Sequence, residues 1–172
     1  MSIFSKKPIM TIILINAPII LLFISVLNEF DFNYLELKYF SFNFPFILIF
    51  YWSLKKSESL GYGYIFFAGL FNDVVTGLPI GISSFSYLLI SGFAGYLRNI
   101  TLRPSLIKDW IFFLFTILVV NSIVFLSLTL LFSYSLDYFD LIINVIYTFL
   151  FYLIFANIFK FYQQIVFGSV ND

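Results

Sequence analysis

The amino-acid sequence predicts an all-α integral membrane protein, a single bundle of six transmembrane helices. Hydrophobic residues make up 62% of the 172 residues and charged residues only 10%, whereas soluble domains carry about 25% charged residues. Six apolar runs alternate with short connecting segments, and positive charge is concentrated in every second segment. The chain has no sequence repeat or low-complexity linker, so we expect one transmembrane domain over residues 1–172.

Six apolar runs define the predicted spans. They cover residues 9–27, 39–54, 61–76, 80–97, 110–132 and 141–159. The first run approaches the ~20 residues that a helix needs to cross a bilayer. A secretory signal has a shorter apolar core and a small-residue cleavage site, whereas this run leads into Asn28 and Glu29, so we expect an uncleaved span. The second run ends with Tyr51 and Trp52, a pair typical of a membrane–water boundary.

The third and fourth runs are predicted to form a helical hairpin. Gly77 and Pro79 separate them. Glycine tolerates a positive φ angle and proline cannot continue a helix, so the chain can turn sharply between the two runs. After the sixth run, the tail from Lys160 onward is polar enough to leave the bilayer.

The positive charges predict the orientation of the spans, because Lys and Arg accumulate on the cytoplasmic side of a membrane. If the N-terminus is cytoplasmic, the outer segments hold only Lys38, and the inner segments hold Lys6, Lys7, Lys55, Lys56, Arg98, Arg103, Lys108 and Lys160. Treating the hairpin as a single span would divide these charges between the two sides. We therefore predict six spans with both termini in the cytoplasm.

Small and polar residues are predicted to bring the hairpin helices together. On the first helix they form two neighbouring rows. One row contains Gly69, Asp73 and Gly77, and the other contains Asn72. On the second helix they recur at heptad-like intervals and include Ser84, Ser91 and Gly95, with Gly81 nearby. Helices in lipid associate through close approach at small residues. These faces are therefore expected to meet each other or the rest of the bundle.

Asp73 is the carboxylate that lies within an apolar run, and three roles are open to it. A carboxylate at mid-bilayer costs roughly 2.5–3.5 kcal/mol, so such residues face a bundle interior or mark a functional path. Asp73 stands close to the Gly77 turn, where it can cap the hairpin. It can also contact a partner protein, or take part in ion or substrate chemistry. The asparagines of the other runs, Asn16, Asn121, Asn144 and Asn157, are expected to form interhelical hydrogen bonds.

Composition argues against several function classes. The chain contains neither histidine nor cysteine, so it lacks the commonest general base and metal ligands. No acid–base pair or metal cluster is recognisable, and we predict a non-enzymatic protein without catalytic residues, metal or cofactor. Its net charge is zero, which gives no basis for nucleic-acid binding. Membrane lipid is the expected surrounding.

The middle of the chain resembles MreD, the rod-shape-determining membrane protein family of bacteria. That family shows a Tyr-Trp pair near the end of its second span, a Gly-Leu-Leu-x-Asp run in its third and a small-Pro-Leu-Gly turn before its fourth. The matching features here are Pro45, Tyr51-Trp52, the run from Gly69 to Gly77, Pro79-Ile80-Gly81 and Tyr96. The likeness covers residues 45–96, about a third of the chain.

The resemblance implies a component of the bacterial inner (cytoplasmic) membrane that acts in cell elongation. Members of the family work with MreC most directly, and with MreB, RodA and a class B penicillin-binding protein in lateral peptidoglycan synthesis. The expected role is a scaffold, and the hairpin residues together with Tyr51 and Trp52 are its predicted structural or partner-binding positions. The family is also similar to the six-helix S components of energy-coupling-factor transporters, so the alternative is a vitamin-binding transporter subunit. That alternative needs a polar cavity, for which Asp73, Asn72 and Ser84 are the candidates.

Overall fold

The computed structural model describes residues 16–27, 42–56, 59–101, 105–133 and 138–167. Within these ranges the chain forms six α-helices and no strand. The helices are α1 (Ala17–Leu27), α2 (Phe44–Lys55), α3 (Tyr62–Thr76), α4 (Ile82–Ile100), α5 (Leu106–Phe132) and α6 (Tyr138–Phe167). The all-α prediction is confirmed, and each helix overlaps one of the six apolar runs.

Two of the helices, Leu106–Phe132 and Tyr138–Val166, are long and apolar enough to span a membrane. α1 and α2 are apolar but shorter. The six-span arrangement therefore stays a prediction. Residues 9–15 and 39–41, which belong to the first two predicted spans, lie outside the described residues.

Several helix ends differ from the predicted ends. α2 begins at Phe44 instead of residue 39, and α6 begins at Tyr138 instead of residue 141. α5 begins at Leu106 instead of residue 110, because its first turn accommodates an exposed Lys108 and a buried, paired Asp109. α4 correspondingly continues to Ile100. α6 continues to Phe167, beyond the predicted end at 159, since the polar residues that follow are good helix formers.

α2 is the central helix of the bundle. All of its residues from Phe44 to Leu54 are buried, as expected for a helix that is apolar on every side. Asn43 caps its N-terminus by accepting a hydrogen bond from the Phe46 N–H through Oδ1 (3.2 Å). The Asn43 N–H donates to Thr148 Oγ1 of α6 (2.8 Å), which fixes the start of α2 against α6.

Four of the other described helices, α1, α4, α5 and α6, surround α2, and aromatic rings fill the spaces between them. α4, α1 and α6 pack directly on α2. The Phe50 ring lies 5.0 Å from that of Phe113 on α5 and 5.8 Å from that of Tyr152 on α6. Trp110 of α5 stacks on Phe149 of α6 at 4.4 Å and donates its Nε1–H to the Phe149 carbonyl (2.9 Å). α3 lies further out, against α4 and α1.

The outer surface of α6 carries an aliphatic ridge. Its members are spaced by four and are at least half exposed: Ile142, Ile146, Leu150 and Ile154. Residues at this spacing share one helix face, and hydrocarbon tails are a suitable surrounding for such a face. Asn157 is exposed as well, and the expected interhelical hydrogen bond is not formed with any of the described residues. Asn144 accepts a hydrogen bond from Thr148 of its own helix (3.4 Å).

Candidate functional site

The hairpin corner, residues 73–83, is organised by the Asp73 side chain. Asp73 is fully buried. Its Oδ2 accepts a hydrogen bond from the Gly81 N–H (2.6 Å) and its Oδ1 accepts one from the Ser83 N–H (2.8 Å). These two donors stand at the N-terminus of α4, where backbone N–H groups lack helical partners and the helix dipole favours negative charge. Of the three roles open to Asp73, this geometry provides the capping role.

The Asp73 backbone closes the other half of the corner. Its carbonyl accepts hydrogen bonds from the Gly77 N–H and from the Leu78 N–H (3.0 Å), a pattern that ends a helix when the following residue is left-handed. Gly77 has φ +70° and Gly81 has φ +105°, so both positions favour glycine. The Pro79 carbonyl accepts from the Ile82 N–H (3.3 Å) and leads the chain into α4. One residue thus ends α3 with its backbone and starts α4 with its side chain.

Asn72 adds a side-chain link across the corner. Its Nδ2 donates to Ser83 Oγ (2.8 Å), and its backbone carbonyl accepts from Thr76 Oγ1 (2.7 Å). The Ser83 N–H binds Asp73 and the Ser83 hydroxyl binds Asn72, so two neighbouring residues of α3 hold the same serine. The corner is therefore fixed by side-chain bonds as well as by its backbone.

α3 and α4 touch at Gly69 and Ser84. A Cβ atom added to Gly69 would overlap the Ser84 backbone and would stand 2.8 Å from Ser84 Oγ. Ser84 Oγ donates to the Phe66 carbonyl one turn earlier on α3 (2.9 Å). The predicted contact between small faces is thus formed by this pair. Such close contact between backbones is how small residues stabilise helix pairs in lipid.

The remaining small residues of α4 have different surroundings. Ser91 faces α2, where its Oγ lies 2.9 Å from Ser53 Oγ in a buried hydrogen bond. Gly95 and Gly92 have no atom within 4 Å of an added Cβ, so neither provides a close helix contact. The heptad-like row on α4 therefore serves two neighbours: Ser84 contacts α3, and Ser91 contacts α2.

Tyr51 and Trp52 lie inside the bundle, which corrects their predicted position as anchors facing the membrane boundary. They are 3% and 1% exposed. Tyr51 Oη donates to Gln163 Oε1 of α6 (3.3 Å), and the Trp52 ring packs against Phe159 and Tyr162 of the same helix. The Trp52 Nε1–H is buried and has no hydrogen-bond acceptor among the residues that the structure describes. Central placement of α2 explains the correction, since nearly the whole helix is covered by protein.

A second polar cluster joins the end of α2 to the ends of α4 and α5. Lys55 Nζ lies 2.7 Å from Asp109 Oδ2, and the two side chains are 29% and 4% exposed. Arg98 Nη1 donates to the Ser53 carbonyl (3.1 Å). Lys55 and Arg98 stand in the last turns of their helices and Asp109 in the first turn of its own. Each charge therefore has the sign that stabilises its helix end.

Asp109 was the polar residue that sequence reasoning missed. It borders an apolar run, as Lys55 does, but only Lys55 was given a role, as part of the positive-charge pattern that predicts topology. The predicted topology did place the end of the second span and the start of the fifth on one side. That shared side was the signal from which this ion pair could have been predicted.

These polar groups hold the helices together. Both oxygens of the Asp73 carboxylate accept backbone hydrogen bonds, and Asp109 is neutralised by Lys55. Among the described residues no group of three or more Asp or Glu side chains could hold a metal ion. Asp73, Asn72 and Ser84, the candidate cavity residues, are all engaged within the hairpin.

The fold and this site define an all-helical protein with an internally bonded hairpin and two helices that could span a membrane. Comparison with protein-family models, curated proteins and solved structures found no match to this chain.

Proposed function

We propose that this chain is a non-enzymatic scaffold in the bacterial cytoplasmic membrane, acting in the cell-elongation complex as its resemblance to MreD implies. Its partners would then be MreC most directly, with MreB, RodA and a class B penicillin-binding protein in the same assembly. The observation that carries the proposal is the engagement of the Asp73 carboxylate by two backbone N–H groups of the hairpin. A carboxylate used in this way builds a rigid element, and its full burial keeps it from the surface at which a substrate would arrive.

Charge distribution in the bundle supports six membrane crossings. The described cations are Lys55, Lys56, Arg98, Lys108 and Lys160. Lys55, Arg98 and Lys108 belong to the helix ends joined by the Lys55–Asp109 and Arg98–Ser53 contacts. Lys160 lies one turn before Gln163 on α6, and Gln163 contacts Tyr51 near the same end of α2. Positive charge collected at one end is the pattern of a cytoplasmic face, and the hairpin corner at the far end of α4 would lie outside.

The outward face of α3 supports a protein-binding role for the hairpin. Its exposed side chains are large and apolar, and include Phe66, Phe67, Phe71, Val74 and Val75. The opposite face is fixed to α4 through Gly69, so this surface is backed by a helix pair of defined geometry. A pre-organised surface loses little conformational freedom on binding. We propose that the transmembrane helix of MreC packs on it.

Single-cysteine crosslinking in membranes tests the scaffold role, because the chain contains no cysteine of its own. Phe67→Cys places a thiol on the outer face of α3, and Ile146→Cys places one on the outer face of α6. Their side chains are 55% and 50% exposed, so they are matched controls. We expect a bifunctional thiol crosslinker to capture MreC from position 67 and not from position 146. Equal capture from both positions, or from neither in an active protein, would contradict the proposal.

A further inference from the structure

The end of the bundle that carries Arg98 has an excess of positive charge. The described cations there outnumber the described carboxylates, and the one carboxylate of the polar cluster, Asp109, is paired with Lys55. Among the residues that the structure describes, neither Arg98 nor Lys108 forms an ion pair, and both are exposed. A further anion can therefore be accommodated beside them.

Arg98 is held in position for such an anion. Its Nη1 donates to the Ser53 carbonyl (3.1 Å), which ties one corner of the guanidinium to the end of α2. A guanidinium has five N–H donors and keeps its charge at any physiological pH. The donors that remain are on an exposed side chain. Planar, pre-positioned guanidinium groups bind phosphate through paired hydrogen bonds.

The surroundings of Lys108 favour a lipid over a soluble anion. Ile107 and Ile111, which flank it on α5, are 64% and 59% exposed. Lys108 and Ile111 are three residues apart and so lie on neighbouring parts of one helix face. Charged and aliphatic groups thus meet at the boundary between the apolar part of α5 and its polar end. That combination matches a phosphate headgroup and the first part of its acyl chains.

We infer that Arg98 and Lys108 bind the phosphate headgroup of an anionic phospholipid at the junction of α4 and α5. Arg98 supplies the oriented donors, Lys108 adds a flexible positive charge, and the exposed isoleucines contact the acyl chains. The Lys55–Asp109 ion pair holds the first turn of α5, which carries Lys108, beside the end of α2. This inference rests on the membrane placement of the proposed function and is independent of the scaffold role.

Native mass spectrometry of the purified full chain, with phosphatidylglycerol or phosphatidylcholine added, tests the inference. We expect the chain to retain phosphatidylglycerol preferentially. The Arg98→Gln/Lys108→Gln variant should retain it about tenfold less, the loss expected for removing charge-assisted hydrogen bonds. The control Lys56→Gln/Lys160→Gln removes two charges from the same end and should retain most of the binding. Equal retention of both lipids by the unmodified chain, or equal loss in both double variants, would overturn the inference.

Further experiments distinguish a lipid phosphate from a soluble one, loss of the site from misfolding of the variant, and failure of this inference from failure of the proposed function. Glycerol 3-phosphate carries the charge without acyl chains; if it displaces phosphatidylglycerol at equal concentration, the site takes soluble anions and the lipid assignment is wrong. Should the Arg98→Gln/Lys108→Gln variant not fold, Lys108→Gln alone alters an exposed side chain and must lower retention. Alkaline carbonate extraction tests membrane placement separately. A chain that stays in the membrane without lipid preference contradicts this inference only, whereas a chain that is extracted contradicts the proposed function.

Discussion

Gly69 and Ser84 meet so closely that the α3 backbone rests against the α4 backbone. The methyl group of an alanine at position 69 would overlap Ser84, and neither backbone can move independently because Ser84 Oγ is bonded to the Phe66 carbonyl. The hairpin therefore has one crossing point, located about one helical turn from Asp73. Its rigidity depends on the absence of a side chain at position 69.

Gly69→Ala should destabilise the protein. Overpacking of a well-packed contact costs about 1–3 kcal/mol, and here the obstacle is backbone. Gly92→Ala is the matched control, since an added Cβ there meets nothing within 4 Å and alanine in a helix interior is favoured over glycine by about 0.5–1 kcal/mol. The thermal unfolding midpoint in detergent should fall for Gly69→Ala and should stay unchanged or rise for Gly92→Ala. A similar shift in both variants would mean that helix propensity, and not the crossing, decides.

Replacements of Asp73 should follow the order Asp, Asn, Leu in stability and, under the proposed scaffold role, in support of rod growth. Asparagine keeps one acceptor oxygen for the Gly81 or Ser83 N–H and presents an amide to the other. Leucine leaves both donors without a partner, at about 1–3 kcal/mol for each buried group. Unfolding midpoints and complementation of cell shape measure the order. Asp140→Asn is the control, because that carboxylate is exposed. If the Asn and Leu variants fail equally at normal protein levels, the negative charge itself is required.

The Lys55–Asp109 pair should respond unequally to loss of either partner. Lys55→Met leaves a carboxylate that is 4% exposed without its cation, whereas Asp109→Asn leaves an ammonium that is 29% exposed and can turn toward water. We expect Lys55→Met to lower the free energy of unfolding by about 1–3 kcal/mol and Asp109→Asn to lower it less. The double variant should recover part of the loss, measured as a double-mutant cycle. Strictly additive effects would show that the ion pair contributes nothing beyond its separate residues.

Trp52→Phe should be tolerated. The buried indole N–H has no acceptor within the described part of the chain, which costs about 1–3 kcal/mol in the folded protein. Phenylalanine removes that donor while keeping an aromatic ring against Phe159. We expect an unfolding midpoint close to that of the unmodified chain. Trp52→Ala, which creates a cavity, should cost about 3–5 kcal/mol. A large loss in Trp52→Phe would mean that the indole N–H has an acceptor in the membrane or in the assembled complex.

The hairpin was the part of the fold that the sequence predicted best. Gly77 and Pro79 mark the turn through backbone geometry alone, and small residues mark the contact faces, so local rules were sufficient. Asp73 was placed near the turn by its spacing, but the choice between its roles required the distances to the Gly81 and Ser83 N–H groups.

The central position of α2 could not be predicted in the same way. Its residues are apolar on all sides, and in a membrane protein an apolar side chain is equally suited to lipid and to a protein neighbour. Tyr51 and Trp52 were therefore assigned to the boundary of the bilayer, although they contact α6. Pairing of Lys55 with Asp109 likewise depends on which helix ends are neighbours; the predicted topology places the two ends on one side but does not say that they touch.

The enclosure of α2 has a consequence for how the protein is made. Its residues from Phe44 to Leu54 are buried by helices on several sides, and three of those helices, α4, α5 and α6, are translated after it. While the ribosome is still synthesising the second half of the chain, α2 has only α1 and α4 available as neighbours. Its final environment is completed only when the last helix has packed against it, so assembly of the bundle has to end with the C-terminal part of the chain.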